Sequence, residues 1–386
     1  MVHARWLVGL VVSLCLAGCG AHAAGEQARG GVDPALARTL QRTLDEQRRS
    51  KGLMGAAAAV VIPGQGLWSG ASGVADRASG APVRAQTPFA IASVSKLLVA
   101  ALAVKLAEQG RLGLDEPVSR WFPRWPNADQ ITVRELLNQT SGLTDDDQAA
   151  VRAVFDRPRS VWSVGRIRRA LRVVPEPLSD PGIKWRYSNL NYLLVGLVIE
   201  RATRATVADE LRRQILDPLQ LRDVVLQPQQ QPPAAAAHAY EKLDGDRPSR
   251  DLSAGSRLRP FNSIGSALWT AAGMVASAPS LARLGDALLR GSLLAPASRA
   301  QLLDTVAADG TMYASYGLGI GQNLSPRMST MVWTVYGNLP GVGSTLAFLP
   351  DRNITAAVLT NTDQTEATAD IADRLLHTVT QATPAG

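Results

Sequence analysis

The chain has 386 residues, 46% of them apolar, which is enough to bury the core of one large domain or of two ordinary ones. Its net charge of +7 comes from side chains scattered along the sequence, so the composition gives no indication of a nucleic-acid partner. Both cysteines lie near the N-terminus and histidine is scarce, which disfavours disulfides, thiol chemistry, a zinc centre and a Ser-His-Asp triad; no cofactor is indicated.

The N-terminal segment predicts export. Arg5 provides a short basic start, and residues 6–18 form an apolar run that is too short to span a bilayer and is typical of a secretion signal. We therefore predict a signal peptide of the lipoprotein type over residues 1–18. The protein is expected in the bacterial periplasm or cell envelope.

Cys19 ends the stretch "LAGC", which resembles a bacterial lipobox. This resemblance implies cleavage before Cys19 and anchoring of the protein to a membrane through the lipidated thiol. Ordinary cleavage after Ala23 is the alternative, and it would give a protein without an anchor. Residues 19–32 are predicted to be a linker.

Helical and strand patterns then follow in a simple order. Asp33 is a plausible cap for an amphipathic helix, and Ala56–Ile62 and Leu67–Gly73 predict two strands joined by a tight turn. From about Phe89 to Leu303 the apolar periodicity is mostly helical. Strand patterns return in "MVWTVYG", "GSTLAFLP" and "NITAAVLTN", before a final helix.

This order predicts an α+β fold, an α/β sandwich in which both ends of the chain build one antiparallel sheet of about five strands. Helices near the two termini flank the sheet, and a large, mostly helical region is inserted between its halves. We predict a single domain over residues 33–386, with the sheet part at 33–88 and 304–386 and the helical part at 89–303. A site is expected in the cleft between the two parts.

Ser93 and Lys96 lie three residues apart at the start of an apolar helical stretch, "FAIASVSKLLVA". On a helix the two side chains share a face and can contact each other. Partial desolvation lowers the pKa of a lysine ammonium, and the neutral amine can then accept a serine proton. The pair is therefore a candidate nucleophile and base, although a serine that merely caps a buried helix gives the same pattern.

Further stretches follow in one order: "ITVRELLNQTSGL", "PGIKWRYSNLNYLLVGLVIE", "DPLQL", "AAGMVAS" and "NLPGVGSTLAFLPDRN". With "FAIASVSK" they resemble the serine β-lactamase and penicillin-binding-protein superfamily, in the branch of class C β-lactamases, the DD-peptidases similar to them, and related esterases. The resemblance covers about Gly55 to Asn361 and implies a β-lactamase/transpeptidase-like fold. It also implies that substrate acylates Ser93 and that Lys96 accepts the serine proton.

The superfamily's Tyr-x-Asn motif falls on Tyr187 and Asn189 in "WRYSNLNY". The resemblance implies that Tyr187 assists attack and protonates the leaving group, and that Asn189 hydrogen-bonds the acyl side of the substrate. Tyr187 could instead be an ordinary half-buried aromatic residue, because the same bare pattern recurs at Tyr336–Asn338. The residues that flank the first copy favour it.

The third motif departs from the superfamily. Relatives carry Lys-Thr-Gly or His-Thr-Gly on the strand that lines the site, whereas this chain has Val335, Tyr336 and Gly337. The missing cation puts recognition of a substrate carboxylate in doubt. Gly337 is still expected to let substrate pair along the strand edge, and the backbone N–H groups of Ser93 and Asn338 are expected to form the oxyanion hole.

Gln139 is a second departure, at a position where many relatives have histidine. We interpret it as a structural residue because it lies outside the three motifs. The "TSGL" that follows is predicted to close a helix with Gly142 at its C-terminal cap.

These features predict an exported acyl-serine hydrolase that acts on an ester, amide or D-alanyl peptide bond of a small-molecule or peptidoglycan-derived substrate. A class C-type β-lactamase or a D-Ala-D-Ala carboxypeptidase is the alternative that an envelope location favours. Loss of the third-motif cation favours esters or amides without a free carboxylate. An alternative of another class is a non-catalytic envelope lipoprotein that keeps the fold as a binding module.

Overall fold

The computed structural model describes residues 31–144, 154–172, 175–242, 249–308 and 312–383. The predicted signal peptide and the predicted lipid anchor at Cys19 lie outside these residues. Within these ranges, no helix combines the length and the apolar character needed to cross a bilayer.

The α-helices are, in chain order, α1 (Pro34–Ser50), α2 (Ser95–Glu108), α3 (Val133–Leu137), α4 (Val164–Ala170), α5 (Asn189–Thr203), α6 (Val207–Leu211), α7 (Asn262–Ala267), α8 (Trp269–Ala272), α9 (Ala278–Leu289), α10 (Pro296–Leu302) and α11 (Thr365–Ala382). Short 3₁₀ turns cover Ala92–Val94, Val118–Arg120 and Pro350–Arg352, and a π-helical turn covers Arg212–Leu216.

The strands are β1 (Gly55–Ile62), β2 (Gly66–Asp76), β3 (Ala81–Pro82), β4 (Phe89–Ala90), β5 (Val225–Leu226), β6 (Tyr240–Glu241), β7 (Arg250–Asp251), β8 (Met274–Ala276), β9 (Val306–Ala307), β10 (Ser315–Tyr316), β11 (Gly321–Leu324), β12 (Met331–Leu339), β13 (Val342–Leu349) and β14 (Ile354–Thr360).

The main sheet is antiparallel, with strand order β3-β2-β1-β14-β13-β12-β11-β10-β9. Its centre joins β1 from the front of the chain to β14 from the back, as predicted. The prediction of about five strands counted only the long ones. It missed β3, β9, β10 and β11, because strands of two to four residues are too short to show an alternating pattern.

Helices cover both faces of this sheet. On one face α1 and α11 pack against alternate residues of β1, among them Ala56, Ala58 and Val60. The intervening residues Ala57 and Ala59 face α9 and the helical region. Because both faces are covered, β1 is buried along nearly its whole length, and its sequence is a continuous apolar run without alternation.

Two helices show how local sequence sets this architecture. Asp33 caps α1 as predicted, because its side chain accepts hydrogen bonds from the N–H groups of Ala35 and Leu36. By contrast α2 is apolar on all sides and is buried from Ser95 to Val104, which is expected of a helix at the centre of a core. The rigid position of α2 fixes the segment that precedes it.

The predicted helix cap at Gly142 is wrong. Helix α3 ends at Leu137, and Gln139 rather than a glycine takes the left-handed conformation just beyond its end, with φ +68°. Gly142 lies further along, also with positive φ, where a Cβ atom would come within 2.1 Å of the Ser179 carbonyl oxygen. The glycine is needed there for a close backbone contact and not to end the helix.

Candidate active site

Ser93 lies in the 3₁₀ turn that leads into α2. The residue before it, Ala92, has φ +46°, a left-handed conformation that costs an alanine about 1 kcal/mol and must be held by its surroundings. The N-cap of α2 is Val94, without a side-chain capping bond. The alternative interpretation of Ser93 as a helix cap is therefore wrong, and its hydroxyl is directed toward other partners.

Those partners are the lysine and tyrosine that the sequence motifs indicated. Lys96 Nζ lies 3.2 Å from Ser93 Oγ, and the Tyr187 hydroxyl donates to the same oxygen at 2.7 Å. The Lys96 ammonium also lies 4.7 Å from the centre of the Tyr187 ring. The first two motifs, 94 residues apart in sequence, thus meet at one hydroxyl group.

Lys96 is held in place by further oxygen atoms. Its Nζ lies 2.8 Å from Asn189 Oδ1 and 2.9 Å from the Ala271 carbonyl oxygen, and the residue is only 1% exposed. A neutral amine can donate to these two oxygens and direct its lone pair at Ser93 Oγ, whereas an ammonium can donate to all three. The arrangement therefore suits a group that gains and loses a proton in the same position.

Asn189 is the first residue of α5, and Gln139 fixes the segment in front of that helix. The Gln139 side-chain oxygen accepts a hydrogen bond from the Ser188 N–H at 3.0 Å and another from Asn191 Nδ2 at 2.6 Å. The Arg186 N–H donates to the Gln139 carbonyl oxygen at 2.9 Å. Gln139 is fully buried, and its structural role is confirmed: it holds the backbone on both sides of Tyr187.

Strand β12 forms the opposite side of the site. Gly337 is buried here, and a Cβ atom on it would come within 2.4 Å of the Ile91 carbonyl oxygen and 3.1 Å of Ala92 Cβ. The glycine thus lets the strand approach the segment that carries Ser93. That Gly337 also lets substrate pair along the strand edge stays a prediction.

The backbone of β12 presents Asn338 to the site. The Tyr336 N–H points away from β13 and donates to the Tyr313 hydroxyl at 3.2 Å. In a strand, residues two apart direct their N–H groups to the same edge, so the Asn338 N–H also faces this edge. This orientation suits the predicted oxyanion hole, while the Tyr313 phenol takes one of the positions where an added substrate strand would pair.

The Val335 side chain does not face the open space next to Ser93. It is 2% exposed and belongs to the core cluster that includes Leu346 and Phe348. A charged side chain in that setting would need a buried partner. The third-motif departure therefore replaces a cation with part of the hydrophobic core.

A cavity of about 510 Å³ lies between these two sides. Ser93, Tyr187 and Asn189 line it from the helical region, and Tyr336 and Asn338 from the sheet. Apolar side chains complete much of its wall, namely Leu268, Met312 and Leu339. The volume is that of a small-molecule site.

Aromatic residues support the tyrosine side of the cavity. Trp185 contacts Tyr187 and Tyr316, and Tyr313 stacks on Tyr336 with ring centres 5.5 Å apart. Burial raises the pKa of Tyr313 and of Tyr316 well above the ordinary value of a tyrosine. These two phenols therefore stay protonated and serve as packing and hydrogen-bonding groups.

One group of side chains in the described part of the chain could hold a metal ion, and it lies away from this cavity. Asp76, His238 and Asp251 place one ligand atom each within 4.8 Å of one another, with His238 Nδ1 2.9 Å from Asp251 Oδ2. None of the three lines the cavity that contains Ser93. The side-chain groups around Ser93 Oγ are the Tyr187 hydroxyl, the Lys96 amine and the Asn189 amide.

The sequence motifs missed two polar residues of the cavity, Thr365 and Glu366, at the start of α11. No motif marks them. A signal was nevertheless available, because the helix that follows a central strand of the sheet must begin near the end of that strand.

The chain matches known proteins along most of its length. A profile of the family described as Beta-lactamase matches residues 40–381. Esterase EstB of Burkholderia gladioli is 34% identical over 200 residues, which are 49% of this chain and 51% of the esterase, so the match spans about half of that relative. Penicillin-binding protein 4* of Bacillus subtilis is 26% identical over 334 residues, covering 84% of this chain and 71% of that protein.

Solved structures share the fold. D-amino acid amidase from Ochrobactrum anthropi, in complex with L-phenylalanine amide, superposes with a TM-score of 0.77 at 24% identity, covering 90% of this chain and 99% of the amidase. A D-stereospecific amidohydrolase from Streptomyces gives a TM-score of 0.72 at 26% identity, covering 88% and 98%. The predicted α+β fold is thereby confirmed, and the chain belongs to the Beta-lactamase family, within the superfamily of serine β-lactamases and penicillin-binding proteins.

Proposed function

We propose that the protein is an exported acyl-serine hydrolase whose nucleophile is Ser93 and whose substrates are esters or amides without a free carboxylate. The observation that carries this proposal is the position of Ser93 Oγ, 2.7 Å from the Tyr187 hydroxyl and 3.2 Å from Lys96 Nζ, in a small-molecule cavity. A nucleophile in contact with two proton-transfer groups is the arrangement that acyl transfer requires.

Acylation begins when Ser93 Oγ attacks the carbonyl carbon of the substrate. The serine proton passes to Lys96 Nζ, while the N–H groups of Ser93 and Asn338 stabilise the oxyanion. The tetrahedral intermediate collapses, the bond to the leaving group breaks, and Tyr187 gives that group a proton. Tyr187 regains a proton from Lys96, and the products of this step are acyl-Ser93 and a free alcohol or amine.

Deacylation reverses the roles of these groups. Water attacks the acyl carbon and its proton moves to the neutral amine of Lys96, and Ser93 Oγ leaves and recovers a proton from Lys96 or, through Tyr187, from the same source. The acid product then departs. Each proton that enters the cycle is returned, so the reaction consumes only the substrate and one water molecule.

The substrate preference follows from the sheet side of the cavity. A substrate carboxylate that enters the cavity would lose part of its water of hydration without a positive partner from the third-motif position, where Val335 is buried in the core. Esters and neutral amides lack this penalty. The esterase and the amidase among the relatives are named for such substrates, which supports the assignment.

The second candidate is a class C-type β-lactamase or a D-Ala-D-Ala carboxypeptidase. The match to a penicillin-binding protein over 84% of the chain favours it. Both activities use the same acyl-serine chemistry, so the difference lies in recognition of the carboxylate. A substrate panel separates the candidates directly.

That panel consists of a short-chain nitrophenyl ester, a chromogenic cephalosporin and a D-Ala-D-Ala peptide. We expect the highest kcat/KM with the ester and poor turnover of the cephalosporin, with all activity lost in Ser93→Ala. If the cephalosporin or the peptide were the best substrate, the inference from Val335 would be wrong. Turnover that survives in Ser93→Ala would rule out the proposed nucleophile.

We also propose that the protein is anchored to a membrane of the cell envelope through Cys19. The proposal rests on the sequence of the N-terminal segment. Mass spectrometry of the mature N-terminus after expression in a bacterial host should show a lipidated Cys19, and Cys19→Ala should move the protein from the membrane to the soluble fraction. A mature N-terminus at Ala24 would instead indicate ordinary cleavage after Ala23.

A further inference from the structure

Glu366 gives the cavity an unusual charge. Among the described residues that line it, Glu366 is the single ionisable carboxylate, and none is a lysine or an arginine. The nearby Lys96 does not line the cavity, since it is 1% exposed and lies behind Ser93 with its Nζ on protein oxygens. A ligand in this cavity therefore meets one formal charge on the described lining, and that charge is negative.

The position of Glu366 on α11 strengthens this conclusion. Glu366 is the second residue of a helix of 18 residues, whose N-terminus carries about half a positive charge from the helix dipole. Without Glu366 this end of the helix would favour an anionic ligand. The full negative charge of the carboxylate outweighs the dipole, so the end of the helix becomes a site for a cation.

An aromatic ring forms another part of the same cavity wall. Tyr336 also lines the cavity, and its ring is fixed by stacking on Tyr313 and by a hydrogen bond from Asn323 Nδ2 to its hydroxyl at 3.1 Å. A fixed tyrosine ring attracts cations through its negative face. The carboxylate and the ring are therefore two groups of the cavity wall that each favour a cationic ligand.

We propose that Glu366 is a specificity-determining residue that selects esters or amides carrying a cationic group, such as an ammonium. This inference rests on the proposed function and adds a substrate class to it. It also accounts for the missing third-motif cation, because a cation at that position would repel the cationic group of the substrate. The charge of the site is reversed and not merely lost.

The effect should be moderate and sensitive to salt. Glu366 is exposed, so water and ions screen it, and removal of its charge should change the preference for a cationic substrate by about three- to tenfold. The preference of the wild-type protein should shrink between about 0.01 M and about 1 M salt, over which range the screening length falls roughly tenfold.

Two pairs of substrates test the proposal, each consisting of a cation and its neutral isostere. Choline butyrate and 3,3-dimethylbutyl butyrate place the charge on the alcohol side. The 4-nitrophenyl esters of 4-(trimethylammonio)butanoate and 5,5-dimethylhexanoate place it on the acyl side. The quantity measured is the ratio of kcat/KM for the cation to kcat/KM for its isostere, in which intrinsic differences in reactivity cancel between variants.

Glu366→Gln should lower this ratio about three- to tenfold in at least one pair, and Glu366→Lys should lower it further. Glu46→Gln is the matched control, because Glu46 is an exposed glutamate on α1 that does not line the cavity, and it should leave the ratio unchanged. A purely structural role for Glu366 at the start of α11 would change stability but not the ratio.

The outcomes separate this inference from the proposed function. If the neutral esters are hydrolysed in a Ser93-dependent way while both Glu366 variants keep the wild-type ratio in both pairs, the inference is overturned and the proposed function stands. If the wild-type protein hydrolyses none of the four esters, both fail. A lowered ratio in the Glu366 variants, with the control unchanged, supports the inference.

Discussion

The two sides of the cleft differ in how they are built. The helical side consists of Ser93, Lys96, Tyr187 and Asn189. The sheet side consists of Tyr336 and Asn338 of β12 and of Glu366 at the start of α11, and Val335 of β12 is buried in the core. Side chains on the helical side hydrogen-bond one another at 2.7–3.2 Å, whereas the sheet side offers a buried valine, one backbone N–H and an exposed carboxylate. The proton-transfer groups therefore lie on the helical side alone, and side chains on the sheet side can change while these groups are kept.

Substitution of the buried Lys96 is the strongest test of this difference. Lys96→Met keeps the volume of the side chain but removes the amine, and we expect kcat/KM for a nitrophenyl ester to fall by about 10³-fold or more. Lys105→Met, at a partly exposed lysine on the same helix, is the control and should retain near wild-type activity. Equal losses in both variants would show that the effect comes from α2 and not from the amine.

A pair of tyrosine variants compares the two sides directly. Tyr187→Phe removes the hydroxyl that donates to Ser93 Oγ and should lower kcat by about 10²-fold. Tyr336→Phe removes a hydroxyl from the opposite side, where Asn323 donates to it, and should lower kcat by no more than about threefold. Similar losses from the two variants would contradict the assignment of proton transfer to the helical side.

A buried ion pair in the helical region should set the response of stability to acid. Burial alone would raise the pKa of Glu210, but hydrogen bonds from Arg111 and Arg213 overcome this effect and lower it to about 2. Because the folded-state pKa is below the unfolded one, this stabilisation is complete above about pH 5 and is lost as the pH falls toward 2.

The expected loss is up to about 3 kcal/mol of unfolding free energy, given the size of the pKa shift. Denaturant titrations between pH 5.5 and pH 2.5 measure it, and Glu210→Gln should lack this part of the acid sensitivity while remaining active at pH 7. If the variant and the wild-type protein lost stability in parallel as the pH fell, the ion pair would not be the source of the acid sensitivity.

The smallest expected effect comes from restoring a cation to the third motif. Val335→His should raise kcat/KM for a D-Ala-D-Ala peptide, relative to a neutral ester, by about two- to fivefold, and it should destabilise the fold because Val335 is buried. Val332→His is the control, since Val332 is also buried in β12 but belongs to the core beneath α1 and α11. A shift of preference in both variants, or in neither, would count against the alignment of the third motif.

The sequence predicted the helical side of the cleft better than the sheet side, and the reason is physical. Ser93, Lys96, Tyr187 and Asn189 must contact one another, so their residue types and spacings are constrained and form motifs that can be recognised. Glu366 needs only to face the cavity, and its position depends on where α11 begins relative to β12. That relation is a property of the folded sheet and leaves no local pattern.

The fold likewise divides into elements that local sequence predicts and elements that depend on tertiary contacts. The long central strands and the capped helix α1 follow from apolar patterns and from Asp33, and they were predicted. The short strands at the sheet edges, and the end of α3 at Leu137 with Gln139 in a left-handed conformation, depend on tertiary contacts. The hydrogen bonds that the Gln139 side chain accepts from Ser188 and Asn191 hold this unusual backbone in place.

Covalent labelling of Ser93 tests the central claim most directly. Incubation of the purified protein with a fluorophosphonate, followed by mass spectrometry of intact protein and of peptides, should show one adduct on Ser93 and none in Ser93→Ala. Absence of an adduct on the wild-type protein, under conditions that label an active relative, or an adduct on another residue, would contradict the claim that Ser93 is the nucleophile.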